Sequence, residues 1–153
     1  MAKIAIGCDE AAFEMKETIK AYVASLGHEV EDYGVYDTSP SLYPDMAVKV
    51  AQAVADGKHE RGILICGTGI GMAISANKVP GIRAAQCHDV YSAERARKSN
   101  NAQIMTMGAR VIGIELAKTI VSAWLNSEFQ GGGSLPKVEK IIEYDNRFRK
   151  KAA

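Results

Sequence analysis

Five short β-rich runs alternate with longer segments whose apolar residues recur every three or four positions. This pattern predicts an open, doubly wound α/β protein with a sheet of about five parallel strands. A glycine-rich turn directly after the third run and a length of 153 residues, suited to one domain with its own core, point the same way. Lys3 to Gly7 is a compact apolar strand ending at Cys8-Asp9. Ala12, Met15, Ile19, Tyr22, Val23 and Leu26 then form one apolar helical face that stops at Gly27. Glu29 to Asp32 is a short second strand, and Gly34, Asp37, Ser39, Pro40 and Pro44 mark a loop from Tyr33 to Pro44. A helix follows from about Asp45 to Asp56, with Met46, Val50 and Val54 at fourfold spacing and Gly57 closing it. Gly62 to Cys66 is a buried strand leading into Gly67-Thr68-Gly69-Ile70-Gly71. Ile82 to Cys87 and Ile104 to Met107 are further strands, with a polar-faced helix from Val90 to Asn100 between them. Val111 to Leu125 is amphipathic, Asn126 to Pro136 reads as a flexible connection, and Lys137 to about Arg149 is a last helix. The expectation is one domain over residues 1–153 with five strands and about five helices. Its final helix either folds back on its own chain or reaches to a neighbour.

Composition narrows the function. Nineteen basic residues face 18 acidic ones, a net charge of +1 that offers no concentrated field for nucleic acid or a membrane surface. A charged content of 24% and a mean hydropathy of -0.10 suit a soluble globular protein and argue against disorder. No apolar run approaches the roughly 18 residues of a membrane span. Met1-Ala2-Lys3 leads straight into the first strand without a secretory pattern, and three cysteines in no repeating arrangement suggest no disulfide framework. A cytoplasmic location is therefore expected.

In open parallel sheets ligands bind beyond the carboxyl ends of the strands. That rule selects Cys8-Asp9-Glu10, Cys66 to Gly71, His88-Asp89 and Gly108-Ala109-Arg110. The glycine turn is the strongest of these. Its backbone can turn tightly and present amide N–H groups, and the helix after it adds a positive end, a combination suited to an anion or a developing oxyanion. The spacing Gly67-x-Gly69-x-Gly71 is not the dinucleotide pattern, and no P-loop lysine is present, so no nucleotide cofactor is expected. Cys66, facing that turn, is either a small buried hydrophobe or a thiol that amide donors make easier to ionise. Such a thiolate could take a proton from carbon beside a carbonyl while Gly67, Gly69 and Gly71 hold the oxygen and Thr68 donates a hydrogen bond. Cys8 reads as an inert thiol, and Cys87 and His88 point to opposite faces of their strand. His28, His59 and His88 lack metal-ligand spacing, and the first two fall at turns where solvation is expected. Arg110 either enters the cleft to hold an anion or stays on the surface. Asp9 serves as a site hydrogen-bonder, a helix N-cap, or both.

Ile6-Gly7-Cys8-Asp9, Tyr43-Pro44, Ile65 to Gly71, Ala76-Asn77-Lys78, Gly81-Ile82-Arg83-Ala84, Tyr91-Ser92-Ala93 and Met107 to Gly113, with the tail around Gly131-Gly132, resemble the type B ribose-5-phosphate isomerase and galactose-6-phosphate isomerase family. The resemblance spans essentially the whole chain. It implies a Rossmann-like domain that dimerises, often further to tetramers, with active sites at the subunit interface. It also implies interconversion of an aldose and a ketose phosphate through a cis-enediol(ate), without metal or cofactor. By the same resemblance Cys66 is the base, Gly67 to Gly71 with Thr68 stabilise the enediolate, Asp9, Tyr43 and Asn100 line the sugar site, and Arg110 binds phosphate.

The chain departs from the family at the other end of the substrate. Glu10 stands where ribose-phosphate members typically have histidine, although one galactose-phosphate subunit shares the Asp-Glu-Ala start. Ser99 stands at the ring-opening histidine. The tail reads Gly131-Gly132-Gly133-Ser134-Leu135-Pro136-Lys137, which loses two arginines and a histidine and keeps one point charge at Lys137. Serine does not titrate near neutrality, so it cannot open a furanose as imidazole does. Either another group opens the ring or the substrate is linear, as a tetrose carrying phosphate on its last carbon must be. The expectation is an aldose–ketose isomerase retuned away from ribose 5-phosphate. The alternatives are a catalytically silent subunit of a heteromer and a redox or nucleotide-binding protein on a generic doubly wound fold.

Overall fold

The computed structural model describes residues 2–152. Five strands, β1 (Lys3–Cys8), β2 (Glu29–Asp32), β3 (Arg61–Cys66), β4 (Ala84–Gln86) and β5 (Ile104–Gly108), form one sheet in the order β2-β1-β3-β5-β4, and every pairing is parallel. Six α-helices, α1 (Phe13–Ser25), α2 (Tyr43–Ala55), α3 (Ile70–Ala76), α4 (Val90–Lys98), α5 (Ile114–Leu125) and α6 (Leu135–Ala152), connect and extend the strands. Strand order reverses between β1 and β3, so the crevice at their carboxyl ends is the ligand position this topology favours.

Alternation along the strands sorts the core into two layers. Ile4, Ile6, Ile63, Ile65, Met105 and Met107 pack with Ile19 and Val23 of α1, Ala93 and Ala96 of α4, and Ile120, Val121 and Trp124 of α5. On the opposite face Ala5, Leu64 and Ile104 meet Val50 and Val54 of α2 and Met72 of α3. Gly7 and Gly62 let α2 lie close on the sheet, because a Cβ at either would come within 3.0 Å of Val50. Most element bounds fall within two residues of the periodic pattern. Two bounds differ by three: α6 runs on to Ala152 rather than about Arg149, and α5 starts at Ile114 rather than Val111, because Ala109, Arg110, Val111 and Ile112 spend their N–H groups on Cys66, Gly67 and Gly108 carbonyls. α3 is a sixth helix of only seven residues, too short for periodicity to reveal.

Buried charges tie down the segments that lack a core of their own. Arg61 donates from Nη1 to the Trp124 and Leu125 carbonyls at 2.8 and 3.3 Å, and from Nη2 to the Ser127 carbonyl at 2.9 Å and Glu128 Oε1 at 2.6 Å. It thereby satisfies carbonyls that the end of α5 leaves open. Lys16 is fully buried and donates to both Asp32 oxygens at 2.9 and 2.8 Å and to the Val35 carbonyl, anchoring the loop that leads to α2. His59 is not solvated: at 7% exposure its Nε2 meets Tyr33 Oη at 2.8 Å and Glu31 Oε2 at 2.7 Å, because the connection into β3 folds over β2. His28 is half-buried and accepts the Ala2 N–H. Among the described residues, no helix is long and apolar enough to cross a membrane.

Burial works against the Asp32 carboxylate, but hydrogen bonds from Lys16, Lys20 and the Gly34 N–H outweigh it and hold the carboxyl below its ordinary value. A depressed carboxyl stabilises the fold above its unfolded pKa, near ~3.9, and that contribution disappears as pH falls through the lower folded value. Lys16→Met should cost about 2–3 kcal/mol at pH 7, since Lys20 still meets Asp32. In urea unfolding the variant should also lose less stability than the wild type below about pH 4.

Candidate active site

The carboxyl ends of β1, β3 and β5 converge on Asp9, Cys66 and Gly108. The Asp9 N–H donates to the Ile65 carbonyl at 3.2 Å, which sets the end of β1 beside the glycine turn. The turn is fixed from all sides through its carbonyls. Ala109 and Arg110 N–H groups hold the Cys66 and Gly67 oxygens at 2.8 and 3.0 Å. Gln86 Nε2 holds that of Thr68 at 2.8 Å, and the buried Thr106 hydroxyl holds that of Gly69 at 2.8 Å. Gly69 has φ +78°, and a Cβ there would lie 2.8 Å from the Met107 backbone; one at Gly108 would lie 2.6 Å from Thr68 Cα. Gly71 has no room for a side chain because the Tyr43 ring lies on it, which carries Tyr43 from the start of α2 to the site.

At the floor of this turn the Gly69 N–H donates to Cys66 Sγ at 3.1 Å, and Cys66 is 5% exposed. The Thr68 hydroxyl accepts the Ile70 N–H at 3.2 Å and is otherwise open to solvent. α3 is too short to contribute much macrodipole, so the polar contact on the sulfur is the Gly69 N–H itself rather than a helix end. Burial pushes the Cys8 thiol up to about 11 and the Cys87 thiol up to about 12, so neither of these two ionises near neutrality.

The Arg110 side chain lies across Gly67 with its guanidinium at the mouth, where its charge is felt by both Asp9 and Glu10. Burial raises the Asp9 carboxyl above its ordinary value despite the Ala12 N–H that it accepts at 3.1 Å; it is an N-cap that stands beside the glycine turn. Glu10 goes the other way, its carboxylate favoured by the Ser41 hydroxyl at 2.6 Å. His88 lies two residues beyond β4 and takes the Gly108 N–H on Nε2 at 2.9 Å, while Cys87 beside it faces the core.

Ser99, Asn100 and Lys137 lie elsewhere. α4 runs back from the carboxyl edge, so Ser99 and Asn100 sit at the amino edge of a sheet whose β5 strand alone spans roughly 15 Å. Ser99 Oγ accepts from Arg95 Nε at 2.8 Å and Nη2 at 2.5 Å. Asn100 lines a cavity of about 380 Å³ with Arg83 and, from α6, Ile141 and Asp145. Lys137 is exposed one turn before Ile141. The residues expected to form one site are therefore split within a single chain, with Ser99 and Asn100 at the edge opposite Cys66. Ser41, Gln86, Thr106 and Arg95 are the participants that sequence patterns do not reveal. Thr106, a lone hydroxyl in an apolar strand, offered the only local signal.

A parallel α/β sheet with a thiol beneath a glycine turn at its switch point is an enzyme architecture, and comparison with known proteins identifies it. A family model described as Ribose/Galactose Isomerase matches residues 4–141, and the chain belongs to this family of aldose–ketose isomerases. It is 62% identical over 148 residues to the D-erythrulose-4-phosphate isomerase of Pectobacterium atrosepticum, covering 96% of this chain and 97% of that one. It is 55% identical to the Ribose-5-P isomerase B of Listeria innocua, covering 96% and 99%. The solved ribose-5-phosphate isomerase B of Clostridium thermocellum superposes with a TM-score of 0.93 at 46% identity, covering 95% and 99%.

Two outcomes follow from the geometry. Gly69→Ala should cost about 2–5 kcal/mol in chemical unfolding, through its positive φ and the Met107 backbone. Iodoacetamide at pH 8 should modify Cys66 at least about tenfold faster than Cys8 or Cys87, read by peptide mass spectrometry.

Proposed function

We propose that the protein interconverts a linear four-carbon ketose phosphate and its aldose phosphate, with Cys66 as the proton-transferring base. The observation that carries the reading is the Cys66 sulfur at the floor of a rigid glycine turn, with an amide N–H already aimed at it. As thiolate, Cys66 removes the proton from the carbon beside the carbonyl. The electron pair moves onto the carbonyl oxygen, where the backbone N–H groups of the turn and the Thr68 hydroxyl stabilise the enediolate. The same proton is returned to the neighbouring carbon, and in this reading Asp9 moves the hydroxyl proton, a role its raised carboxyl supports. No hydride leaves the substrate, so these steps call for no cofactor.

The four-carbon assignment is supported by Ser99, which cannot act as an acid–base for ring opening. It also agrees with the name of the relative that is 62% identical. A tetrose with phosphate on its fourth oxygen has no free hydroxyl with which to close a furanose. A second copy of the chain completes the site by bringing its Ser99, Asn100 and Lys137 to the Cys66 of the first. The apolar residues Leu42, Ile70 and Ile74, 75%, 52% and 58% exposed on the helices and loop around the turn, give such a copy a surface to cover.

In heavy water, wild-type protein should exchange the carbon-bound hydrogen of D-erythrulose 4-phosphate, followed by NMR, far faster than that of ribose 5-phosphate. Cys66→Ala should lower the exchange at least about 10³-fold while the fold is kept; equal rates on both sugars would remove the four-carbon assignment. Mixing inactive Cys66→Ala and Asn100→Ala proteins should recover up to about a quarter of wild-type activity, as random pairing of two-fold dimers requires. No recovery after subunit exchange would place Asn100 outside the shared site.

A further inference from the structure

Arg95 has no assigned role, and its geometry is specific. The last turn of α4 carries three cations, Arg95, Arg97 and Lys98, and a positive charge at a helix C-terminus needs no further explanation. Their partners differ, however. The Arg97 guanidinium is buried and spent on Asn101 Oδ1, the Ala102 carbonyl and Glu128. Arg95 is half-buried, forms no ion pair among the described residues, and turns back onto Ser99. A serine hydroxyl has two lone pairs and one proton. The Arg95 Nε–H and Nη2–H occupy the lone-pair side of Ser99 Oγ, so the Ser99 O–H must itself donate outward. The guanidinium keeps three of its five N–H groups, including both on Nη1. The pair therefore presents donors only, with a net positive charge that no carboxylate within ion-pair distance cancels. A site of that kind reads oxyanions.

We propose that Arg95, oriented by Ser99, is a further residue that recognises the substrate's terminal phosphate, brought by the second copy to the phosphate that the resemblance also assigns to Arg110. This rests on the shared-site reading above, in which residue 99 of one copy faces Cys66 of the other. It also accounts for the weak cationic tail: Lys137 is a point charge, whereas a guanidinium offers the fork that fits phosphate oxygens. Held one helical turn from Ser99, Arg95 moves the cationic fork off the flexible-sequence tail and onto a helix of the core. A phosphate at that place suits a fixed, short substrate.

The test compares kcat/KM for D-erythrulose 4-phosphate with that for unphosphorylated D-erythrulose, in wild type, Arg95→Leu, Arg95→Lys and Ser99→Ala. Loss of a charge-assisted pair predicts that Arg95→Leu lowers the preference for the phosphorylated sugar by roughly 10- to 150-fold, mostly through KM. Arg95→Lys should recover part of it. Inorganic phosphate should inhibit wild type competitively and Arg95→Leu only at correspondingly higher concentration, and this arm decides the matter if free erythrulose turns over too slowly. Equal loss on both sugars with a lowered Tm would reduce Arg95 to a helix-end contact and overturn the proposal. An unchanged preference or unchanged phosphate inhibition with an active wild type would overturn it alone; a wild type inactive on every sugar overturns the isomerase reading along with it.

Discussion

The site depends on one backbone-to-backbone approach. The glycine turn after β3 lies directly on the end of β5, with Gly69 against Met107 and Gly108 against Thr68, and neither contact leaves room for a Cβ. That approach lets Ala109, Arg110 and Thr106 take the turn's carbonyls. With its peptide planes fixed, the turn can aim an N–H at the Cys66 sulfur without reorganising when charge develops there. Two elements separated by about forty residues are thus one rigid unit, and the proposed chemistry sits on their seam.

Around that unit, buried charge does the work that a small core cannot. Lys16 and Asp32 hold the loop that delivers Ser41 to Glu10 and leads to Tyr43, so a buried ion pair on the far side of β1 sets the rim of the site. Arg61 does the same for the chain after α5, where it closes open carbonyls and directs the segment toward α6. In both cases the charged group donates to backbone oxygens as well as to a carboxylate. That satisfies its donors and makes burial tolerable.

The distribution of function follows from parallel topology. All five strands run in one direction and the connecting helices run back, so Asp9, Cys66 and Arg110 collect at the carboxyl edge and the Ser99–Arg95 pair lies at the amino edge. In the proposed reading a substrate is held at both ends, and a second copy brings the amino edge of one chain to the carboxyl edge of the other. The three cysteines show the same effect of position: equivalent in sequence, they divide into two thiols kept neutral by burial and one set beneath amide donors.

Sequence alone determined the α/β class, the strand order of appearance, most element bounds and the identity of the turn. Period-2 and period-3.6 patterns and glycine spacing are local properties that survive without a fold. It also displayed Cys66, Asp9 and Arg110 as neighbours-to-be, through the rule that parallel sheets bind ligands at their carboxyl edge, whereas Tyr43 entered only through the family resemblance. Tertiary structure alone decided that His59 is buried rather than solvated, that α5 starts late because its first residues serve the turn, and that a seven-residue α3 exists. It also decided that Gln86 and Thr106 brace the turn and that Arg95 covers Ser99. Each of these depends on which of many polar groups a long-range contact leaves without water, and no local pattern encodes that choice.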